Sequence, residues 1–233
     1  MDELWTVHMG VVEYREAHAL QERVRSARQA GAIPDTVLLL EHDPVFTHGR
    51  RAAPGELAMG EDWYRMQGVD VVGVDRGGKV TYHGPGQLVG YPIVAIDDVM
   101  AFVGAMEDAI VRALEDEGLP GARGRSADGR DYTGVWLDER KIASIGVHVS
   151  RSVTTHGFAV NVDNDLQPFG WVVACGLPEV RMTSITEETR TGEHLACFRK
   201  RMAVRLAEAL GRRQRLVSRA RLEAALASAP VPA

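Results

Sequence analysis

The chain has 233 residues, 45% of them hydrophobic and 25% charged, with a net charge of -5. That is enough apolar material to bury a full core, and one domain over residues 1–233 is the simplest arrangement. The mild acidity argues against a nucleic-acid binder, which would be strongly basic. Cys175 and Cys197 are the only cysteines, too few for a secreted disulfide framework. Met1-Asp2-Glu3-Leu4-Trp5 lacks the apolar run of a signal peptide, and no stretch approaches a membrane span. A cytoplasmic protein that touches neither membrane nor nucleic acid is expected.

A short strand over Trp5 to Val11 is followed by an amphipathic helix from Tyr14 to Ala30, closed by Gly31 and Pro34. Thr36 to Leu40 reads as a buried strand and Glu41 to Arg50 as a polar turn. Its carboxylates, His42 and His48 invite a metal reading, but no His-x-x-x-His or Cys-x-x-Cys spacing supports one. Val69 to Val74 is a second apolar run. Gly73-x-x-x-x-Gly78-Lys79 then imitates a phosphate-binding loop, yet Val80 stands where Ser or Thr would hold magnesium, and Pro85 forbids the helix that should follow.

Between that run and the next strand, Gln87 to Ile96, lies Arg76-Gly77-Gly78-Lys79-Val80-Thr81-Tyr82-His83-Gly84-Pro85-Gly86-Gln87. Four glycines and a proline suit unusual dihedrals and close approach, and Arg76, Lys79, Tyr82 and His83 add polar chemistry. Asp97 or Asp98 caps a helix whose stripe of Val99, Phe102, Val103, Met106, Ile110, Ala113 and Leu114 reads as core. Gly121 to Arg130 reads as a variable surface loop. Thr133 to Val149 reads as a hairpin turning at Asp138-Glu139-Arg140. Alternation in its second strand puts Lys141 with Ala143, Ile145 and Val147 on one face; from position alone that lysine would snorkel to water. Asn164 to Val173 is irregular, and Glu193 to Leu210 is a helix carrying Cys197 as a small packed side chain. A short strand and a last helix follow Arg212.

The Arg76–Gln87 stretch resembles a signature of the bacterial lipoyl(octanoyl) transferases, the octanoyl-[acyl-carrier-protein]:protein N-octanoyltransferases. Lys-Ile-Ala-Ser-Ile-Gly (Lys141 to Gly146), Thr-His-Gly-Phe-Ala-Val-Asn (Thr155 to Asn161) and the segment Cys175 to Ile185 match three further motifs of that family. The resemblance implies an α/β (α+β) fold: a mixed β-sheet with packed helices, like that of the biotin/lipoate protein ligases, with a core over roughly 30–215. It implies a nucleophilic Cys175 and an active-site Lys141. Arg76, Gly77, Gly78, Lys79, Val80, Thr81, Tyr82 and His83, with Ser144, Ile145, Gly146, Gly157, Phe158 and Ala159, would bind the acyl substrate, and His156 would support the site.

The implied reaction moves octanoyl from acyl carrier protein to a lysine on lipoyl domains of 2-oxoacid dehydrogenase complexes and on glycine cleavage H protein. A thioester donor is already activated, so neither ATP nor metal is required, and a monomer would suffice. Two rivals remain: an ATP-dependent lipoate ligase on the same fold, and a non-catalytic acyl- or carrier-binding protein. From Arg199 to Arg221 nine basic residues accompany one acidic residue, Glu208. The run is either a solvated face or a dock for an acidic carrier.

Overall fold

The computed structural model describes residues 2–53, 55–129, 132–172 and 180–229. Strand β1 (Glu3–Val12) leads to helix α1 (Tyr14–Gln29), then β2 (Asp35–His42) and β3 (Val45–His48). After α2 (Glu61–Met66) come β4 (Asp70–Gly73), β5 (Val80–His83) and β6 (Gln87–Ile93). Helix α3 (Val99–Glu115) precedes β7 (Ala122–Gly124), β8 (Gly134–Leu137), β9 (Arg140–Ser150) and β10 (Val153–Asn161). The chain continues with β11 (Arg181–Met182), α4 (Ile185–Thr189), α5 (Leu195–Ala209), β12 (Arg213–Leu216) and α6 (Arg219–Ala227).

Among the described residues the main sheet runs β12-β1-β2-β6-β10-β9-β8-β7, with β11 added beside β9. Its β12-β1-β2 end is parallel and β2 to β7 is antiparallel, so the sheet is mixed as expected. Strand alternation separates two cores. Val37 and Leu39 face α3 and α5 with Leu88, Phe158 and Val160. Leu38 and Leu40 face α1 and α6 with Val89, Tyr91 and Ala159. Because the sheet is covered on both faces, its strands are continuous apolar runs.

The helix ends follow their caps. Glu13 accepts from Glu16 N–H at α1, and Asp98 accepts from Met100 and Ala101 N–H at α3, each meeting donors that the first turn leaves unpaired.

Several expectations change. The polar turn over Glu41 to Arg50 is in fact the end of β2 plus β3, the centre of a second sheet ordered β4-β3-β5. The loop over Gly121 to Arg130 contains edge strand β7, which pairs with β8. Cys197 is exposed, not packed. Val99, placed in the core stripe, is 41% exposed. Cys175 and its neighbours at 173–179 lie outside the described residues.

Candidate active site

One cavity of about 530 Å³, in the size range of small-molecule sites, gathers nearly all the expected residues. Arg76, Gly77, Gly78, Lys79, Val80, Thr81 and His83 border it from the loop and β5. Lys141, Ser144, Ile145 and Gly146 border it from β9, and His156, Gly157, Phe158 and Ala159 from β10. Among the described residues Tyr82 is the exception. Its ring faces away, into a cluster with Phe46 and Phe169 under the second sheet.

The glycine-rich loop is pinned from within. Arg76 is buried, and its guanidinium donates to the carbonyls of Thr47 and Lys79 at 2.8 and 2.9 Å and to Thr47 Oγ1 at 2.8 Å. These bonds give Arg76 the work of shaping the loop, since its donors are turned onto the chain. The loop then touches β9: Gly77 N–H donates to the Val147 carbonyl at 3.0 Å. A β-carbon on Gly146 would stand 2.7 Å from the Gly77 carbonyl oxygen, so only glycine permits that approach.

Lys141 is 1% exposed, which overturns the snorkelling expectation. The register of β8 against β9 shifts here, with Val135 opposite Ala143 but Trp136 opposite Lys141. Strict alternation therefore fails at Ile142, as it does at any bulge. The ammonium lies 5.3 Å from the centre of the Trp136 ring, within cation–π range. Gly134, at φ +134°, leaves room for the lysine stem: a β-carbon there would stand 2.9 Å from Lys141 Cε. Gly134 N–H donates to Glu107 Oε1 at 2.9 Å, and Ser126 N–H and Oγ donate to the same buried carboxylate. Sequence reading passed over Glu107 because it sits among the apolar positions of α3.

The downstream end of the Cys175 motif is tied to this lysine. Met182 pairs with Lys141, and Thr183 N–H donates to the Lys141 carbonyl at 3.0 Å. Asn161 Nδ2 donates to the Thr183 carbonyl and accepts at Oδ1 from Gln87 Nε2, joining β10, the motif and the foot of the glycine-rich loop.

Buried His83 and His156 form the inner wall with Tyr14 and Tyr91, and buried His42 packs against Tyr14 and His83. His83 Nδ1 meets Gln87 Oε1 at 2.7 Å; the amide nitrogen is committed to two oxygens, so Nδ1 carries the proton. Burial holds His83 well below the ordinary histidine range, which leaves Nε2 with a free lone pair. His42 donates from Nδ1 to the Val12 carbonyl and meets the Tyr91 hydroxyl through Nε2, both at 2.7 Å. Burial pushes His42 down to about 4. His156 is also lowered to about 4, by burial first, although Asp75 beside it pulls the other way. Its φ of +58° is uncommon for a residue with a side chain.

Other lining residues were not found from sequence. Val99, Met100 and Val103 come from the first turns of α3, and Arg50 and Arg51 stand at the rim. The exposure of Val99 and Met100, at 41% and 59%, marks where that helix's apolar stripe leaves the core for the cavity. The basic run behaves differently. Arg201, Arg205, Arg212, Arg213, Arg215 and Arg219 pair with Glu117, Asp116, Asp35, Glu3, Glu3 and Glu16. None of its residues borders the cavity. Much of its positive charge is thus matched locally.

A profile of the lipoyl protein ligase A/B catalytic domain matches residues 13–207. A protein of Acidothermus cellulolyticus named Octanoyltransferase is 43% identical over 207 residues, covering 87% of this chain and 90% of that one. One of the same name from Thermobifida fusca is 45% identical over 188 residues, 76% of this chain and 75% of that one. Among solved structures, a putative lipoate protein ligase of T. acidophilum with bound lipoic acid superposes with a TM-score of 0.77 at 21% identity, over 97% of this chain and 93% of that chain. Lipoate-protein ligase A bound with ATP gives 0.76 at 19%, over 97% and 92%. At such identities those two speak for the fold. By the breadth of the profile match and the identity to its curated relatives, the chain belongs to the lipoyl protein ligase A/B catalytic domain family.

Proposed function

We propose that this protein transfers an octanoyl group from acyl carrier protein to the ε-amine of a lysine on a lipoyl domain, through a thioester on Cys175. The observation that carries the reading is Lys141, a buried lysine in the wall of an acyl-sized cavity, with the Cys175 motif paired to its backbone. The relatives' name, Octanoyltransferase, supplies the acyl group and the reaction class.

The chemistry follows from one proton carrier. A free cysteine with a pKa of ~8.5 is only a few per cent thiolate at neutral pH, and lowering it by about two units requires roughly 2.7 kcal/mol. In this reading the Lys141 ammonium supplies that stabilisation. The thiolate attacks the donor carbonyl, a new C–S bond forms and the pantetheine C–S bond breaks. Lys141 gives its proton to the departing thiol. Neutral, it then takes a proton from the acceptor amine as that nitrogen attacks the Cys175 thioester, and the cysteine leaves as thiolate. No ATP or metal enters, because the donor thioester already carries a good leaving group.

The cavity walls suit the substrate. Val89, Val103, Ile145, Val147 and Phe158 offer apolar surface, and burying about seven carbons of an octanoyl tail contributes on the order of 5 kcal/mol at ~0.8 per methylene. Each methylene discriminates by only ~1–3 kcal/mol, so neighbouring chain lengths are accepted at reduced rate. Arg50, Arg51 and Lys79 at the cavity match the negative phosphopantetheine of a carrier protein. Lipoyl domains of 2-oxoacid dehydrogenase complexes and glycine cleavage H protein are the acceptors this reading implies.

The test is intact-mass analysis after mixing with octanoyl carrier protein in the absence of nucleotide. The expected result is a gain of one octanoyl group on the wild type and none on Cys175→Ser. An unmodified wild type, or product formed only when ATP is added, overturns the reading.

A further inference from the structure

Beside the cavity, four side chains from four separate segments converge without serving any step above. His18 comes from α1, Asp75 from the segment between β4 and β5, His148 from β9 and His156 from β10. His156 Nε2 stands 2.7 Å from Asp75 Oδ1 and His18 Nε2 3.7 Å from the same oxygen. His148 Nε2 stands 3.5 Å from Asp75 Oδ2. One ligand atom from each of His18, Asp75 and His156 lies within 4.8 Å of the others.

Imidazole nitrogen and carboxylate oxygen bind zinc-class ions at about 2.0–2.2 Å, and a tetrahedron of such bonds separates its ligands by about 3.4 Å. The 3.7 Å separation of His18 from Oδ1 already meets that spacing, whereas His148 approaches the other carboxylate oxygen and stands outside the three-residue group. The 2.7 Å pair must open by about 0.7 Å, a small change next to the reach of a carboxylate rotation.

Two independent features point to a ligand. His18 Nε2 is shut off from solvent and makes no hydrogen bond among the described residues, so a lone pair or N–H faces the centre of the cluster without satisfaction. His156 is aimed there by its backbone: φ is +58°, and its N–H is held at 2.7 Å by Gln21 Oε1 from α1. Its other ring nitrogen faces the Tyr14 hydroxyl at 3.5 Å, the outer contact that orients a metal-bound imidazole.

We propose that His18, Asp75 and His156 bind one divalent transition-metal ion of the zinc class, clamping α1 to β10 and the base of the glycine-rich loop, with His148 steadying the second Asp75 oxygen. Two imidazoles and one carboxylate select such an ion over magnesium or calcium, which prefer all-oxygen sites. The ion takes no part in acyl transfer; it braces the wall on which Arg76 and His156 stand.

Cobalt(II) reports the site directly. Titrating metal-stripped full-length protein with Co²⁺ should give visible d–d absorption saturating at one equivalent, together with a higher melting temperature. His18→Ala, at a partly exposed position, should weaken binding tenfold or more, and His148→Ala, which faces the other Asp75 oxygen, by less. A Cys175→Ser, Cys197→Ser double variant should bind as the wild type does. No visible band and no thermal shift overturns the proposal. So do bands that persist undiminished in both histidine variants, or bands that vanish with the cysteines.

Discussion

Lys141 sits against Trp136 and Gly134 with 1% of its surface exposed. Burying an ammonium is costly unless opposite charge or an aromatic face offsets it. The Trp136 ring contributes up to about 2 kcal/mol when desolvated, and in the proposed mechanism the Cys175 thiolate supplies the opposite charge. On that proposal each ion makes the other tolerable. Lys141→Ala should slow alkylation of Cys175 at neutral pH about tenfold or more, the loss of thiolate that a two-unit rise in thiol pKa entails. An alkylation rate equal to that of the parent removes the lysine from this role. Sequence named the lysine through its motif but assigned its side chain to water on position alone. The register shift at Ile142 is what alternation could not foresee, because a bulge depends on the partner strand.

At the level of elements, α3 serves two purposes along one stripe. Phe102, Met106, Ile110 and Leu114 build the core, while Val99 and Met100 open toward the cavity. Between them Glu107 receives the backbone of Ser126 and Gly134 and so fixes the start of β8, the strand that flanks Lys141. Glu107→Ala should strand those buried donors, lowering unfolding stability by about 1–3 kcal/mol in denaturant melts. A stability equal to wild type would show the carboxylate to be dispensable. The long elements were legible, since periods of 3.6 and 2 and the caps at Asp98 and Gly31 act locally. The second sheet was not. Its strands are four residues each, too short for a period to register, and β3 ends in polar Thr47, buried under Arg76, and half-buried His48. Edge strand β7 was hidden for the same reason: three residues between glycines carry no pattern of their own. The glycine-rich loop showed its importance by composition, yet only packing separates Tyr82, turned to Phe46, from His83, turned to the cavity.

Across the whole molecule, acid should be the weak direction. His42 and His156 have folded pKa values near 4 against about 6.5 in an unfolded chain. Between those values the unfolded state binds the more protons, so stability is full above pH ~6.5 and falls as pH drops toward 4. Each histidine contributes a slope of up to about 1.4 kcal/mol per pH unit in that window. Urea melts from pH 7 to 4.5 should show midpoints falling steadily, with a shallower slope in His42→Asn. A flat profile would mean these rings are not neutral inside. Burial alone would raise the Asp75 carboxyl, but the hydrogen bond and charge from His156 outweigh it and lower the group, so its share too is lost on acidification, at still more acid pH.

The parallel pairing of β1 with β12, Glu3 beside Arg213, joins stretches 210 residues apart in the chain. While the ribosome is still working, β1 can find β2 but not its outer neighbour, and one side of it stays open to stray strands. Nascent chains paused before Arg213 should therefore be the species that chaperones hold longest.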